Sequence, residues 1–409
     1  MCISRQKISQ ANSWLLILLA FCLPLSTSGV TVTAFLIMVC WLLEGRFREK
    51  WGEIIINPIC IAVFVYFGVM LMGLFWTDSL IAGFDAIRGQ WKILLLPVFL
   101  TTICWERRWW YVTAFIAGVT VTMILIDLTY FEFIHYELLD SRRHFTTVGN
   151  YIVYTPMLAF SIYLLLHQVL WGDGKLLQRW VMLALAGLMI FSLFILAGRA
   201  GHLVFFIFLG LLLFQYFRQR LLKATLIVVV LLPLVFVAGY RLSPIFRGRV
   251  DAVRQELATF EKNPNTSVGL RLLFWKNSWE IIRQSPWIGV GTGGFDAAYA
   301  LVNLQRSPNI PPTNNPHNQY IFVAVQQGLL GLLSLLGLFF VQIYQSRRIT
   351  DGWQSIRLAF PLFFLVIMMS DSYLKSHATG FLFSFFSAVF LKSNLRTGSY
   401  DQKWCSREP

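Results

Sequence analysis

The chain has 409 residues, of which 57% are hydrophobic and only 13% charged, and its mean hydropathy is +0.63. Apolar runs of about 17 to 25 residues recur along the whole chain, which excludes a water-soluble globular protein. The net charge of +14 is typical of membrane orientation and of attraction to anionic lipid headgroups, so we predict no nucleic-acid partner.

The apolar runs predict an all-α, polytopic membrane protein with about twelve transmembrane helices in one domain, residues 1–409. No small-x-small cleavage site follows the first run, so we interpret it as a membrane anchor and not as a signal peptide. The predicted spans are 13–24, 28–43, 57–76, 89–104, 109–130, 150–168, 180–197, 201–217, 221–240, 317–345, 353–371 and 376–392.

Lysines and arginines concentrate in alternate loops, which predicts that these loops and both termini face the cytoplasm. The opposite, external loops hold few cations: Arg88, Lys92, Arg142, Arg143, Arg199 and Lys375. None of the six cysteines falls in the long external segment, so we expect neither a disulfide framework nor a cysteine-based metal site outside.

The first informative external turn covers residues 76–92. Asp85, Arg88 and Lys92 recur at i, i+3 and i+7, which predicts one shared helical face entering the fourth span. Two cations on a cation-poor side indicate either an anion site at the membrane surface or an interfacial ion pair with snorkelling side chains.

A polar loop at residues 131–149 carries histidines and carboxylates, but their spacing matches no metal-ligand pattern, so we predict no metal site. The side chains in question are Glu132, His135, Glu137, Asp140, Arg142, Arg143 and His144.

A very short external turn, Gly198-Arg199-Ala200-Gly201-His202, joins two apolar runs. An arginine held at membrane depth is costly unless it meets an anion, so Arg199 is a candidate binding residue. His202 is better interpreted as a histidine satisfied at a helix end.

The longest polar segment, residues 241–316, predicts a helical external insertion between the ninth and tenth spans. Residues 247–262 and 270–285 alternate as amphipathic helices that lie along the bilayer surface, with Arg271 and Lys276 at headgroup level. The run Gly289–Gly294 satisfies G-x-G-x-x-G but follows no βαβ unit, so we expect a flexible loop with close backbone approach and no dinucleotide.

This segment ends in Asn314-Asn315-Pro316-His317-Asn318, before an apolar run from Ile321. Asparagine at an N-cap and proline in the first turn predict His317 in the first helical turn, where the helix dipole favours neutral imidazole. Neutral imidazole is the form that a general base needs. The alternative is a polar residue at the membrane–water boundary.

These residues resemble the O-antigen ligase and polymerase superfamily over about residues 180–345. The resemblance rests on Arg199, on Arg271 with Trp275, on the run Ser285–Phe295, on Pro316-His317-Asn318 and on Gly328. One departure is Gln327, where ligase-like chains usually carry glutamate.

The resemblance implies a GT-C-type glycosyltransferase in the bacterial inner membrane, with a periplasmic active site. It would move a finished polysaccharide from undecaprenyl pyrophosphate to the lipid A-core oligosaccharide, with His317 as base and Arg199 and Arg271 on the pyrophosphate. We add Arg88 and Lys92 on physical grounds. Further candidates are His202, Arg142, Arg143, Lys276 and Asn318. We expect no cofactor and a monomer.

Three alternatives remain open at this stage. An O-antigen polymerase or a protein O-oligosaccharyltransferase would run the same chemistry on another acceptor. A lipid or polysaccharide transporter would also have about twelve spans, but transporters place ionisable groups near the bilayer midplane in both halves. Here the unusual cations cluster near one face, and we find no internal repeat.

Overall fold

A computed structural model describes residues 5–134 and 151–392, and all the regular structure in these residues is helical. Short 3-10 helices span Gly73–Trp76, Trp91–Leu95 and Trp105–Arg107. The α-helices are α1 Arg5–Cys22, α2 Thr27–Glu44, α3 Phe47–Ile56, α4 Pro58–Met72, α5 Leu80–Gln90, α6 Leu96–Thr102, α7 Arg108–Tyr130, α8 Tyr151–Trp171, α9 Leu176–Ile195, α10 Arg199–Tyr216, α11 Leu221–Leu242, α12 Pro244–Ala258, α13 Ser267–Gln284, α14 Phe295–Arg306, α15 Gln319–Arg348, α16 Gln354–Ile367 and α17 His377–Leu391.

Eight helical segments within the described residues are long and apolar enough to cross a membrane, and α16 and α17 are shorter apolar helices. The prediction of an all-helical, multi-pass membrane protein is thereby confirmed for this part of the chain. The count of twelve spans stays a prediction.

The predicted fourth span, 89–104, is wrong as a continuous helix. Helix α5 ends at Gln90, a 3-10 helix follows, and α6 begins at Leu96 with Pro97 near its start. Proline has no N–H to continue a helix and favours a helix beginning, so the apolar run breaks here. Arg88 therefore lies in an α-helix and Lys92 in the following 3-10 turn, and they do not share the predicted helical face.

The chain divides into two compact units. The first contains Met1–Leu15, Phe35–Arg108 and Gln255–Pro409, and the second contains Leu16–Ala34 and Trp109–Arg254. In the first unit α15 packs against α4 and α16, and α17 packs against α6 and the 3-10 helix Trp91–Leu95. In the second unit α8 packs against α9 and α10, and α10 packs against α11.

Two amphipathic helices predicted in the polar segment are confirmed as α12 and α13, whereas α14 was not predicted. A buried apolar cluster joins α13, α14 and the beginning of α15, and it fixes the position of the chain just before α15. The cluster consists of Phe274, Ile281, Phe295, Tyr299, Val302, Phe322 and Val325. The placement of these helices along a bilayer surface stays a prediction.

Helix α15 is broken at Gly328, whose backbone has φ +59° and ψ −150°. A break of this kind leaves carbonyl and N–H groups without partners inside the helix. The glycine-rich loop supplies them: Val290 N donates to Val325 O and Gly291 N to Gln326 O, both at 2.9 Å. In return, Leu329 N donates to Pro286 O at 2.8 Å and Leu330 N to Trp287 O at 3.1 Å.

Positive φ angles at Gly289, Gly291 and Gly293 let this loop approach the broken helix. A Cβ on Gly289 would lie 2.4 Å from the Gln326 carbonyl carbon. The predicted close backbone approach is thus present. The motif serves helix packing, since its N–H groups bond to protein carbonyls.

Replacing Gly328 with alanine should destabilise the protein by about 2 to 4 kcal/mol. The new Cβ would lie 2.4 Å from the Trp287 carbonyl carbon, on a backbone with positive φ. The matched control is Gly337→Ala in the same helix, where no atom lies within 4 Å of the added Cβ. Thermal unfolding in detergent should separate the two variants, and equal midpoints would contradict this account of the break.

Candidate active site

His317 does not lie in the first turn of α15, and that prediction is wrong. Helix α15 begins at Gln319, and its N-cap is Asn318, whose side-chain oxygen accepts from Tyr320 N at 3.0 Å and Ile321 N at 3.2 Å. His317 precedes the cap with φ +51°. This left-handed conformation is uncommon for a side-chain-bearing residue, and such residues concentrate at functional sites.

A turn made by Asn315 holds the His317 backbone. The Asn315 side-chain oxygen accepts from His317 N at 3.0 Å, while Thr313 Oγ1 bonds both the N–H and the carbonyl of Asn315. The helix-start signal in the sequence was therefore assigned to the wrong asparagine. Asn315 shapes the turn, and Asn318 caps the helix.

The imidazole of His317 is paired with the carboxylate of Asp371. His317 Nδ1 lies 3.2 Å from Asp371 Oδ2, and the other carboxylate oxygen accepts from Asn315 Nδ2 at 2.8 Å and Ser372 N at 2.7 Å. Burial alone would raise the pKa of Asp371. The hydrogen bonds from His317, Ser372 and Asn315 outweigh burial and hold that pKa below its usual value.

An ionised Asp371 fixes the tautomer of a neutral His317. Because a carboxylate only accepts hydrogen bonds, the imidazole proton lies on Nδ1 and the lone pair lies on Nε2. The His317 side chain is 34% exposed, against 20% for Asp371. The pair can therefore accept a proton at Nε2 from a molecule that approaches from outside.

Sequence reasoning missed Asp371. It lies four residues beyond the end of α16, at the last residue of the predicted span 353–371, and an ionisable residue at the end of an apolar run is a usable signal. His317 and Asp371 are 54 residues apart in the chain, so no local sequence pattern indicates that they pair.

Residues 368–376, which we call the Asp371 loop, are fastened to the beginning of α15. Gln319 N donates to Met368 O at 2.9 Å, Asn318 Nδ2 to Met369 O at 3.3 Å, and Leu374 N to Gln319 Oε1 at 3.3 Å. The candidate residue Asn318 thus uses its side chain for the helix cap and for this loop. Asn318 therefore supports the position of the His317–Asp371 pair.

One face of α13 packs against His317 and the preceding residue, Pro316. Trp275 Nε1 donates to Pro316 O at 2.9 Å, and the Phe274 ring stacks on the His317 ring at a centroid distance of 6.3 Å. Arg271 lies on this face, one turn earlier. Burial raises the pKa of Tyr373 in the Asp371 loop, and the positive charge of Arg271 opposes that shift. Arg271 thus shares a helix face with Phe274 and Trp275, the two residues of α13 that contact His317 and Pro316.

The other predicted cations of the first unit differ in their surroundings. Arg88 is exposed on α5, and Lys276 is exposed on α13. Lys92 is only 5% exposed, and its ammonium donates to the carbonyls of Gly89 and Lys375.

Two candidates lie in the second unit. Arg199 is the first residue of α10 and is half-buried, with Thr155 packed closely against the flanking glycines Gly198 and Gly201. His202 is buried among aromatic rings, with centroids 5.5 Å from Phe194 and 4.8 Å from Phe246. It lies in the first turn of α10, but its Nε2 is buried with no hydrogen-bond partner among the described residues, so the interpretation as a satisfied histidine does not hold for that nitrogen.

Arg142 and Arg143 lie outside the described residues, as do most of the polar side chains of the 131–149 loop. Within residues 5–134 and 151–392, no three His, Cys, Asp or Glu side chains are grouped as metal ligands. The prediction of no metal site stays a prediction.

Within the part of the chain that the structure describes, the helices and the His317–Asp371 pair define a multi-pass, helical membrane protein with a candidate general base at His317. Residues 184–336 match the model of the O-antigen ligase family, which identifies an O-antigen ligase domain in this part of the chain. The resemblance drawn from the sequence is thereby confirmed. The matched residues include Arg199, Arg271 and His317, and Asp371 lies beyond them.

A relative in Haemophilus influenzae, named an uncharacterized protein, is 27% identical over 206 residues. The matched region covers 48% of this chain and 50% of the relative. The chain thus spans about half the length of this curated relative.

Proposed function

We propose that the protein is a glycosyltransferase that moves O-antigen polysaccharide from undecaprenyl pyrophosphate to the lipid A-core oligosaccharide. The observation that carries this proposal is the contact between His317 Nδ1 and Asp371 Oδ2 at 3.2 Å, with Arg271 on the face of α13 that packs against His317. The O-antigen ligase domain supports this class of chemistry. The alternation of cations along the sequence supports a periplasmic site in the inner membrane, with both termini in the cytoplasm.

The proposed reaction is a direct displacement at the anomeric carbon. His317 Nε2 removes the proton of the acceptor hydroxyl as its oxygen forms the new bond to that carbon. The bond from the anomeric carbon to the pyrophosphate oxygen breaks, and its electron pair leaves with undecaprenyl pyrophosphate. The anomeric configuration is inverted, and solvent finally receives the proton from His317.

Negative charge grows on the departing pyrophosphate, and fixed guanidinium groups would stabilise it. Arg271 lies on the face of α13 that packs against His317, and its planar fork can bind two phosphate oxygens at once. Arg199 keeps the same proposed role on the strength of the sequence and the domain match. Arg88 is a further proposed contact at the external surface.

The identity of the acceptor distinguishes the ligase from an O-antigen polymerase or a protein O-oligosaccharyltransferase. Purified protein in nanodiscs would be incubated with lipid-linked glycan, with and without rough lipopolysaccharide. Glycan transfer that requires rough lipopolysaccharide supports the ligase. Chain growth without it would identify a polymerase, and movement of glycan between leaflets without any transfer would identify a transporter.

We expect transfer to continue undiminished in EDTA, because fixed cations can stabilise a pyrophosphate without a divalent ion. The measurement compares initial rates in EDTA with rates in added Mg²⁺ or Mn²⁺. Strict dependence on a divalent ion would contradict this prediction and direct attention to the carboxylates of residues 132–140.

A further inference from the structure

The Asp371 loop is fastened from a second side by Lys92. Lys92 Nζ donates to Gly89 O at 2.7 Å and to Lys375 O at 3.0 Å, and Ser384 Oγ donates to Lys92 O at 2.7 Å. A Cβ on Gly380 would lie 3.1 Å from Lys92 Cε, so the stem is closely packed. Lys92 therefore has little freedom to reach a substrate, and its contacts fix the backbone of Lys375.

The Lys375 side chain leaves this fixed backbone in a defined direction. Its Cγ lies 3.6 Å from where a Cβ of Gly89 would be, and its ammonium lies 5.1 Å from the centre of the Phe322 ring. Lys375 is partly exposed. A surface lysine normally samples many rotamers, whereas this one is held between a glycine and an aromatic face.

The positive charge here has no close counter-charge. Among the described residues, neither Lys92 nor Lys375 has a carboxylate oxygen within 4.0 Å. The Lys375 charge acts on Asp296, whose pKa is raised by burial and lowered in part by that charge. A buried ammonium beside a second cation is costly, and a bound anion would remove that cost.

Lys375 belongs to the same loop as Asp371, the partner of the proposed base. In an inverting displacement the base and the leaving group lie on opposite sides of the anomeric carbon, so a cation for the leaving group is near the base without touching it. Lys375 follows Asp371 by four residues, and the turn is tight, with Lys375 N donating to Ser372 O at 3.1 Å and Ser376 N to the same oxygen at 3.3 Å.

We propose that the Lys375 ammonium binds a phosphate oxygen of the lipid-linked diphosphate substrate, and that Lys92 positions Lys375 by holding its backbone. This inference rests on the proposed function and reassigns Lys92 from a ligand to a support. The sequence contained the signal, because Lys375 is one of few cations in the external loops.

The test measures equilibrium binding of undecaprenyl pyrophosphate in nanodiscs of neutral lipid, on a His317→Ala background that blocks turnover. Lys375→Gln should weaken binding roughly tenfold to a hundredfold, the usual effect of losing one charge-assisted hydrogen bond. Lys375→Arg should retain most of the affinity. The matched control is Lys262→Gln, an exposed lysine outside the site, and it should bind as the parent does.

Two further arms identify the source of the phosphate. Titrating phosphorylated lipid A-core in place of undecaprenyl pyrophosphate, and in a separate series titrating anionic phospholipid as the ligand, should show no dependence on Lys375. Equal affinity of the parent and Lys375→Gln for undecaprenyl pyrophosphate, or a loss confined to lipid A-core or to anionic lipid, would overturn the assignment of Lys375 and leave the proposed function standing. No binding of undecaprenyl pyrophosphate by any variant would overturn both.

Discussion

Replacing His317 with alanine is expected to lower the initial rate of glycan transfer by about 10²- to 10⁴-fold, the usual contribution of a general base. The substitution removes the nitrogen that accepts the proton of the acceptor hydroxyl. Binding of the lipid-linked donor should change little, because His317 acts on the acceptor. The measurement is the initial rate with purified protein at saturating donor and acceptor.

A histidine outside the site provides the control. His167 lies on α8 in an aromatic cluster, with its ring centroid 4.5 Å from that of Trp171. His167→Phe should keep near-normal transfer. A His317→Ala protein that is folded and transfers glycan at near the wild-type rate would end the assignment of His317 as the base.

Replacing Asp371 with asparagine should lower the rate by a similar amount, on the order of 10²- to 10⁴-fold. An amide can donate as well as accept, so it no longer requires the His317 proton to lie on Nδ1. It also removes the negative charge that stabilises the imidazolium formed when His317 accepts a proton.

The asparagine side chain has nearly the same shape as aspartate, so the loop should stay folded and the thermal midpoint should change little. Asp78→Asn, at an exposed carboxylate of the same unit, is the matched control and should be neutral. Unchanged transfer by Asp371→Asn would show that the pairing has no part in the reaction.

The sequence predicted the parts of the structure that depend on local pattern. Helices α12 and α13 follow a 3.6-residue alternation that is visible in the chain itself. His317 also stood out, since one asparagine- and proline-rich stretch opens a long apolar helix. The exact start of α15 was predicted wrongly because three asparagines compete for the cap, and only the packed turn around Asn315 decides among them.

The features that the sequence missed depend on contacts between distant residues. The pairing of His317 with Asp371 connects two loops, and no periodicity reports it. The hydropathy of the sequence changes little across the break between α5 and α6, so composition alone suggests a single span there. Lys92 was grouped with Arg88 on an assumed helix, whereas the observed break buries Lys92 against the Asp371 loop.

The central claim is that His317 and Asp371 act as one unit in proton removal during glycan transfer. A double-mutant cycle with His317→Ala, Asp371→Asn and the combined variant tests it most directly, with initial transfer rates measured on purified protein in nanodiscs. We predict that the combined variant is no slower than His317→Ala alone, because Asp371 acts only through the imidazole. If the fold-loss in transfer rate of the combined variant equals the product of the two single fold-losses, the two residues act independently and the claim is contradicted.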